Sequence, residues 1–76
     1  MQASQIQKMI ADQLDNAVVE VKGDDGVHFE ALIISPAFEG LSPIARHRLV
    51  YATLGDAMKQ AIHALSITAK TPAEHA

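Results

Sequence analysis

The chain contains no cysteine. That removes disulfide staples, thiolate metal sites and thiol nucleophiles together, so any soft-metal chemistry has to borrow sulfur from a partner. Aromatic residues are almost as scarce: Phe29, Phe38 and Tyr51 are the whole set. Packing therefore has to come from Ile, Leu, Val, Met and Ala arranged in regular elements. No apolar run approaches the roughly 20 residues that cross a bilayer, and Met1-Gln2-Ala3-Ser4 lacks the charged and then apolar segments of a secretion signal. A cytosolic protein with no membrane partner is the expectation. Basic residues are outnumbered, with six Lys and Arg against nine Asp and Glu and a net charge of -3. This excludes a surface built for broad phosphate neutralisation, because non-specific nucleic-acid affinity grows with the number of cationic contacts.

Seventy-six residues predict one domain spanning the chain, with a thin core, since a chain of this size buries only about 60% of its unfolded surface. The first element opens on Ser4-Gln5-Ile6-Gln7, which has the letters of a capping box, and places Ile6, Met9, Ile10 and Leu14 at helical spacing. Asp15-Asn16 ends it. Val19 and Val21 then alternate with Glu20 and Lys22 as a half-buried strand. Gly23-Asp24-Asp25-Gly26 reads as a hairpin turn. In the next strand Val27, Phe29, Ala31 and Ile33 face one way, and His28, Glu30, Leu32 and Ile34 the other.

Ser35-Pro36 stops that strand, because proline withdraws a ladder donor. A loop is expected up to Leu41. Ser42-Pro43 is a serine cap followed by a first-turn proline, and Val50, Leu54, Ala57, Met58 and Ala61 form an apolar stripe running to about Ile62, with a break near Gly55. Leu65, Ile67 and Ala69 alternate with Ser66, Thr68 and Lys70 as a third strand. Thr71-Pro72-Ala73-Glu74 has the signature of one more helical turn, expected to fray over residues 72–76, with His75 disordered. The order αββααβ plus a last turn predicts a small α+β domain, a three-stranded sheet covered by helices.

Four histidines carry whatever chemistry the chain has. His63 shares parity with Leu65 and Ile67 at a strand entrance, which fits a core-edge histidine with one nitrogen on a backbone carbonyl. His28 lies on the wetter face near the turn, an ordinary place for a surface residue. His47, between Arg46 and Arg48, falls on the packing stripe three residues before Val50, with both arginines pointing to solvent. There is no His-Glu-x-x-His, no glycine-rich phosphate loop ahead of a helix, and no serine with a His and Asp relay, so enzyme activity is not expected. Two histidines alone also make a poor zinc site.

The segments Phe38-Glu39-Gly40-Leu41-Ser42-Pro43, Arg46-His47-Arg48-Leu49-Val50, His63-Ala64-Leu65-Ser66-Ile67 and Lys70-Thr71-Pro72 together closely resemble the BolA family. The likeness covers nearly the whole chain and is strongest after Gly26. It implies a class II KH-like fold in the short-loop branch of the family. The Gly23-Asp24-Asp25-Gly26 stretch matches the letters of the KH clamp for nucleic-acid backbone, but it joins two strands and its aspartates would repel phosphate.

In that family the histidine of the His-Ala-Leu motif is an iron–sulfur ligand, which assigns the role to His63. The resemblance further implies a monothiol glutaredoxin as partner and a shared two-iron, two-sulfur cluster. The glutaredoxin cysteine and glutathione would hold one iron, and His63 with His28 the other. The sequence departs from the family at the second ligand, because the cysteine or histidine of the better-known members lies around Asp25. His28 ranks first and Asp25 second, since carboxylates are hard ligands that suit such clusters poorly. Alone, the protein is expected to be a monomer or weak homodimer. The alternative role attributed to BolA proteins is DNA-binding regulation, here through Arg46 and Arg48 near a helix start.

Overall fold

Ile6 and Ile10 recur one helical turn apart, and both are completely buried on α1, which spans Ala3–Gln13. The computed structural model describes residues 1–60 and 64–76. The N-cap of α1 is Gln2 rather than the expected Ser4: the Gln5 side chain reaches back 2.7 Å to accept from the Gln2 N–H. Gln7, assigned to that box by its spacing, instead sends its side-chain oxygen to the backbone N–H of Val21 at 3.2 Å. Asn16 turns the chain out of the helix with a φ of 54°, a conformation asparagine tolerates better than most side chains.

The sheet has the order β1-β2-β3, with β1 at Val18–Lys22, β2 at His28–Ile34 and β3 at Ala64–Lys70. β1 and β2 are antiparallel and β2 and β3 parallel, with Val21 opposite Ala31 and His28 opposite Ala64. From Phe29 on, alternation along β2 is as the sequence implies, but Val27, expected on the buried face, precedes the strand and is exposed. Phe29, Ala31 and Ile33 are buried on the helix side, while His28 and Glu30 are exposed on the other. Ile34 departs from the pattern and is buried despite sharing the face of His28.

The connection expected to be plain loop contains a 3-10 turn, Pro36–Phe38. It drives Phe38 into the core with no exposure, against Ile6, Ile10, Phe29, Ile33, Val50 and Leu54. Ser35 anchors it: its hydroxyl accepts from the Ala37 N–H and donates to the Asp15 carbonyl, and its N–H donates to the Lys70 carbonyl. The helix α2, Pro43–Leu54, starts on the Ser42 cap as its sequence demands. Gly55, at a φ of 52°, ends it before α3, Ala57–Gln60, because that conformation strains any residue with a Cβ. Val50 and Leu54 are buried, and Ala57 and Met58 pack against the same core. Ala61 and Ile62, expected to continue the stripe, lie outside the described residues. No helix among the described residues is long and apolar enough to cross a membrane.

The last helical turn expected from Thr71-Pro72-Ala73-Glu74 is present. Pro72–His75 forms a capped turn, α4, in which the Thr71 hydroxyl accepts from the Glu74 N–H and Glu74 accepts from the Thr71 N–H. The turn holds because Glu74 also meets Arg46 at 2.6 Å. That pairing, followed by the Thr71 N–H, draws the Glu74 carboxyl down from an ordinary value of 4.5 to about 2. The folded value lies below the unfolded one, so the stabilisation is complete above pH 4.5 and fades as pH falls towards 2. Glu74→Gln should therefore lower the melting temperature at neutral pH and match the parent protein near pH 2. Thermal unfolding followed by circular dichroism across that range checks it, and a constant difference at every pH would contradict it.

Candidate functional site

The β1–β2 hairpin positions the described half of the site. Asp25 folds the turn back on itself: its Oδ1 accepts from the N–H of Val27 at 2.9 Å and of His28 at 2.8 Å. Short-range bonds of this kind are why aspartate favours turns. Its Oδ2 lies 2.8 Å from Nδ1 of the His28 ring. The His28 side-chain bond and then the two backbone N–H groups hold the Asp25 carboxyl well below the usual carboxylate range. The two residues considered as rivals for one role are thus joined in a single unit, with every Asp25 oxygen already engaged.

Gly23 makes that unit possible. A Cβ there would meet Phe29 Cδ1 at 2.5 Å and the His28 carbonyl at 2.6 Å. The strand can only turn where no side chain intervenes. Gly23→Ala is expected to cost about 1–3 kcal/mol through overpacking and to displace the His28 backbone. Urea unfolding together with the His28 amide resonance checks both effects, and an unperturbed His28 amide would contradict the close-approach reading.

His28 opens onto a cleft of about 990 Å³ lined by Asp25, Phe29, Ala64, Leu65 and Ser66, among others. Across the sheet its partner is Ala64, whose N–H donates to the Val27 carbonyl. His63, the first-ranked ligand, immediately precedes Ala64 in the chain and lies outside the described residues. Among the described residues, no group of three or more His, Cys, Asp or Glu side chains is placed to hold a metal ion. Two imidazoles suit an iron already held by sulfide, whereas the Asp25 carboxylate is a harder ligand that already accepts at Oδ1 from two N–H groups and meets the His28 ring at Oδ2. The donor chemistry therefore favours the histidines over Asp25 for the expected cluster.

The profile of the BolA family, described as "BolA-like protein", matches residues 3–74. The chain belongs to the BolA family. This BolA-like chain is similar to a solved BolA homologue from Coxiella burnetii, with a TM-score of 0.88, 42% identity, and coverage of 99% of this chain and 96% of that one. It is 58% identical over 53 residues to SufE-like protein 1, chloroplastic/mitochondrial, from Arabidopsis thaliana, spanning 68% of this chain and only 14% of that protein. The DNA-binding transcriptional regulator BolA of Vibrio cholerae is 35% identical over 78 residues, covering 91% of this chain and 74% of the relative. The matched family indicates no enzyme class.

The arginines of this BolA-like domain separate. Arg48 is exposed, but the expectation of a solvated Arg46 is corrected: its side chain is only 14% exposed. Nε donates to the Leu41 carbonyl at 2.9 Å and Nη1 to the Ala69 carbonyl at 3.1 Å. Nη1 and Nη2 both reach Glu74, and the guanidinium stands 6.0 Å from the Phe38 ring centroid. A planar, five-donor head group satisfies such a divided set of acceptors, which is why Arg occupies the position. His47 is half-buried beside it, in keeping with its place on the stripe, and His75 closes α4.

Proposed function

We propose that this BolA-like domain is a non-enzymatic partner of a monothiol glutaredoxin. The two would share a bridging two-iron, two-sulfur cluster, serving iron–sulfur assembly, trafficking or iron regulation. One observation carries the reading. His28 stands on the sheet opposite Ala64, the residue that follows His63, and lines an open cleft. When bound, such a cluster supplies iron whose potential is raised by histidine in place of thiolate. The chain's own residues provide imidazole donors, and the hairpin fixes one ring through Asp25. Histidine protonates near neutral pH, so a histidine-held cluster is labile and suited to transfer. Mixing the protein with a cluster-loaded monothiol glutaredoxin should produce new visible absorption and circular dichroism bands. A spectrum equal to the sum of the separate components would reject the proposal.

A second reading, a small DNA-binding regulator, is favoured by the name of the Vibrio cholerae relative. Its residues would be Arg46 and Arg48, yet Arg46 is occupied by two carbonyls and Glu74. Arg48 remains solvent-facing, on a helix face shared with exposed Ile44 and Tyr51. With so few phosphate contacts, binding would be weak and only shallowly salt-dependent. Nanomolar affinity that survives moderate salt and is lost on Arg48→Ala would reverse the ranking.

A further inference from the structure

We infer that Asp25 is a positioning residue which locks His28 in one tautomer, with the ring proton on Nδ1 and the lone pair on Nε2. The distance between Asp25 Oδ2 and His28 Nδ1 is 2.8 Å, and an ionised carboxylate can only accept, so Nδ1 must donate. A neutral ring with its proton on Nδ1 has its basic lone pair on Nε2. The partner oxygen, Oδ1, takes the N–H groups of Val27 and His28, which immobilises the carboxylate on the same backbone that carries the ring. Without this contact a free histidine mostly carries its proton on Nε2, which would leave the wrong nitrogen available. Carboxylate–histidine pairs orient metal-bound imidazoles in the same way in many sites. As a statement about a ligand, the inference rests on the function proposed above; as a statement about the ring, it stands on these distances alone.

Asn in place of Asp25 separates the two jobs of the carboxylate. Its oxygen can still accept from the Val27 and His28 N–H groups and keep the turn. Its amide nitrogen, facing the ring, can only donate and demands a lone pair on Nδ1. The hairpin is then kept and the tautomer inverted. Nitrogen-15 shifts of the His28 ring, read by long-range proton correlation on the cluster-free protein above the imidazole pKa, report this directly. The Val27 and His28 amide resonances report the turn.

The parent protein should show protonated Nδ1 and bare Nε2, and D25N should show the reverse with those two amides little changed. Addition of cluster-loaded glutaredoxin should then give about 10–100-fold weaker complex formation for D25N, the usual cost of losing such a supporting group. A parent protein with its proton on Nε2 overturns the inference, and that reading stands even if D25N loosens the turn. An inverted tautomer with undiminished complex formation overturns Nε2 as the donor. If the parent shows the Nδ1–H form but gives no mixed spectrum, the shared-cluster function fails while the tautomer lock stands.

Discussion

His63→Ala is expected to keep the far-ultraviolet circular dichroism of the parent and to lose the mixed-complex cluster spectrum. The fold should survive because, among the described residues, a core is already formed by fully or nearly fully buried Ile6, Ile10, Phe29, Ile33, Phe38, Val50 and Leu54. Removing a ligand should weaken the shared complex by more than the roughly 10–100-fold associated with removing a ligand's support. His28→Ala should act in the same direction and less severely, because water or a thiol can fill the vacated position. A parent-like spectrum from the His63 variant would remove the central claim. The prediction rests on the family resemblance and on the identity of Ala64 as the partner of His28 in the sheet.

Arg46→Ala should destabilise the domain by about 2 kcal/mol, far more than an ordinary surface substitution. That figure reflects two backbone carbonyls losing donors and a mostly buried stem losing its packing, with little assigned to the half-exposed ion pair. Arg46→Lys should recover only part, since one ammonium cannot span Leu41, Ala69 and Glu74 together. Urea denaturation would show a lower midpoint at unchanged slope. A loss under about 0.5 kcal/mol would reduce the clasp to an ordinary surface pair. The result also bears on nucleic-acid experiments: loss of DNA binding by the Arg46 variant would report a damaged fold, and Arg48→Ala is the cleaner probe.

What could be read from residue order alone was whatever is decided locally. The Ser42-Pro43 start of α2, the break at Gly55 and the alternation through Phe29, Ala31 and Ile33 all follow from dihedral preference and side-chain period. The α+β order and the family followed as well. Errors arose where a partner is remote in sequence. Ser4 and Gln7 have capping-box spacing, yet Gln7 is taken by Val21 of the first strand, and the cap falls to Gln2. Arg46 has neighbours that suggest a solvated helix face, and only the folded chain brings Ala69 and Glu74 to it. The Asp25–His28 unit was within reach, because aspartate two and three residues before a strand start commonly binds those backbone N–H groups.

The central position of β2 has a kinetic consequence. Its pairing with β1 closes a short hairpin, so Asp25 and His28 can come together early and locally. Its pairing with β3 joins segments far apart in the chain and carries a larger loop-closure cost, so it is expected to form later. Ala64 is expected to take its place opposite His28 only at that stage. On the proposed function, a chain still emerging from synthesis would lack the strand beside His28, so pairing with a cluster-bearing partner is expected to be a late event that selects for completed folding.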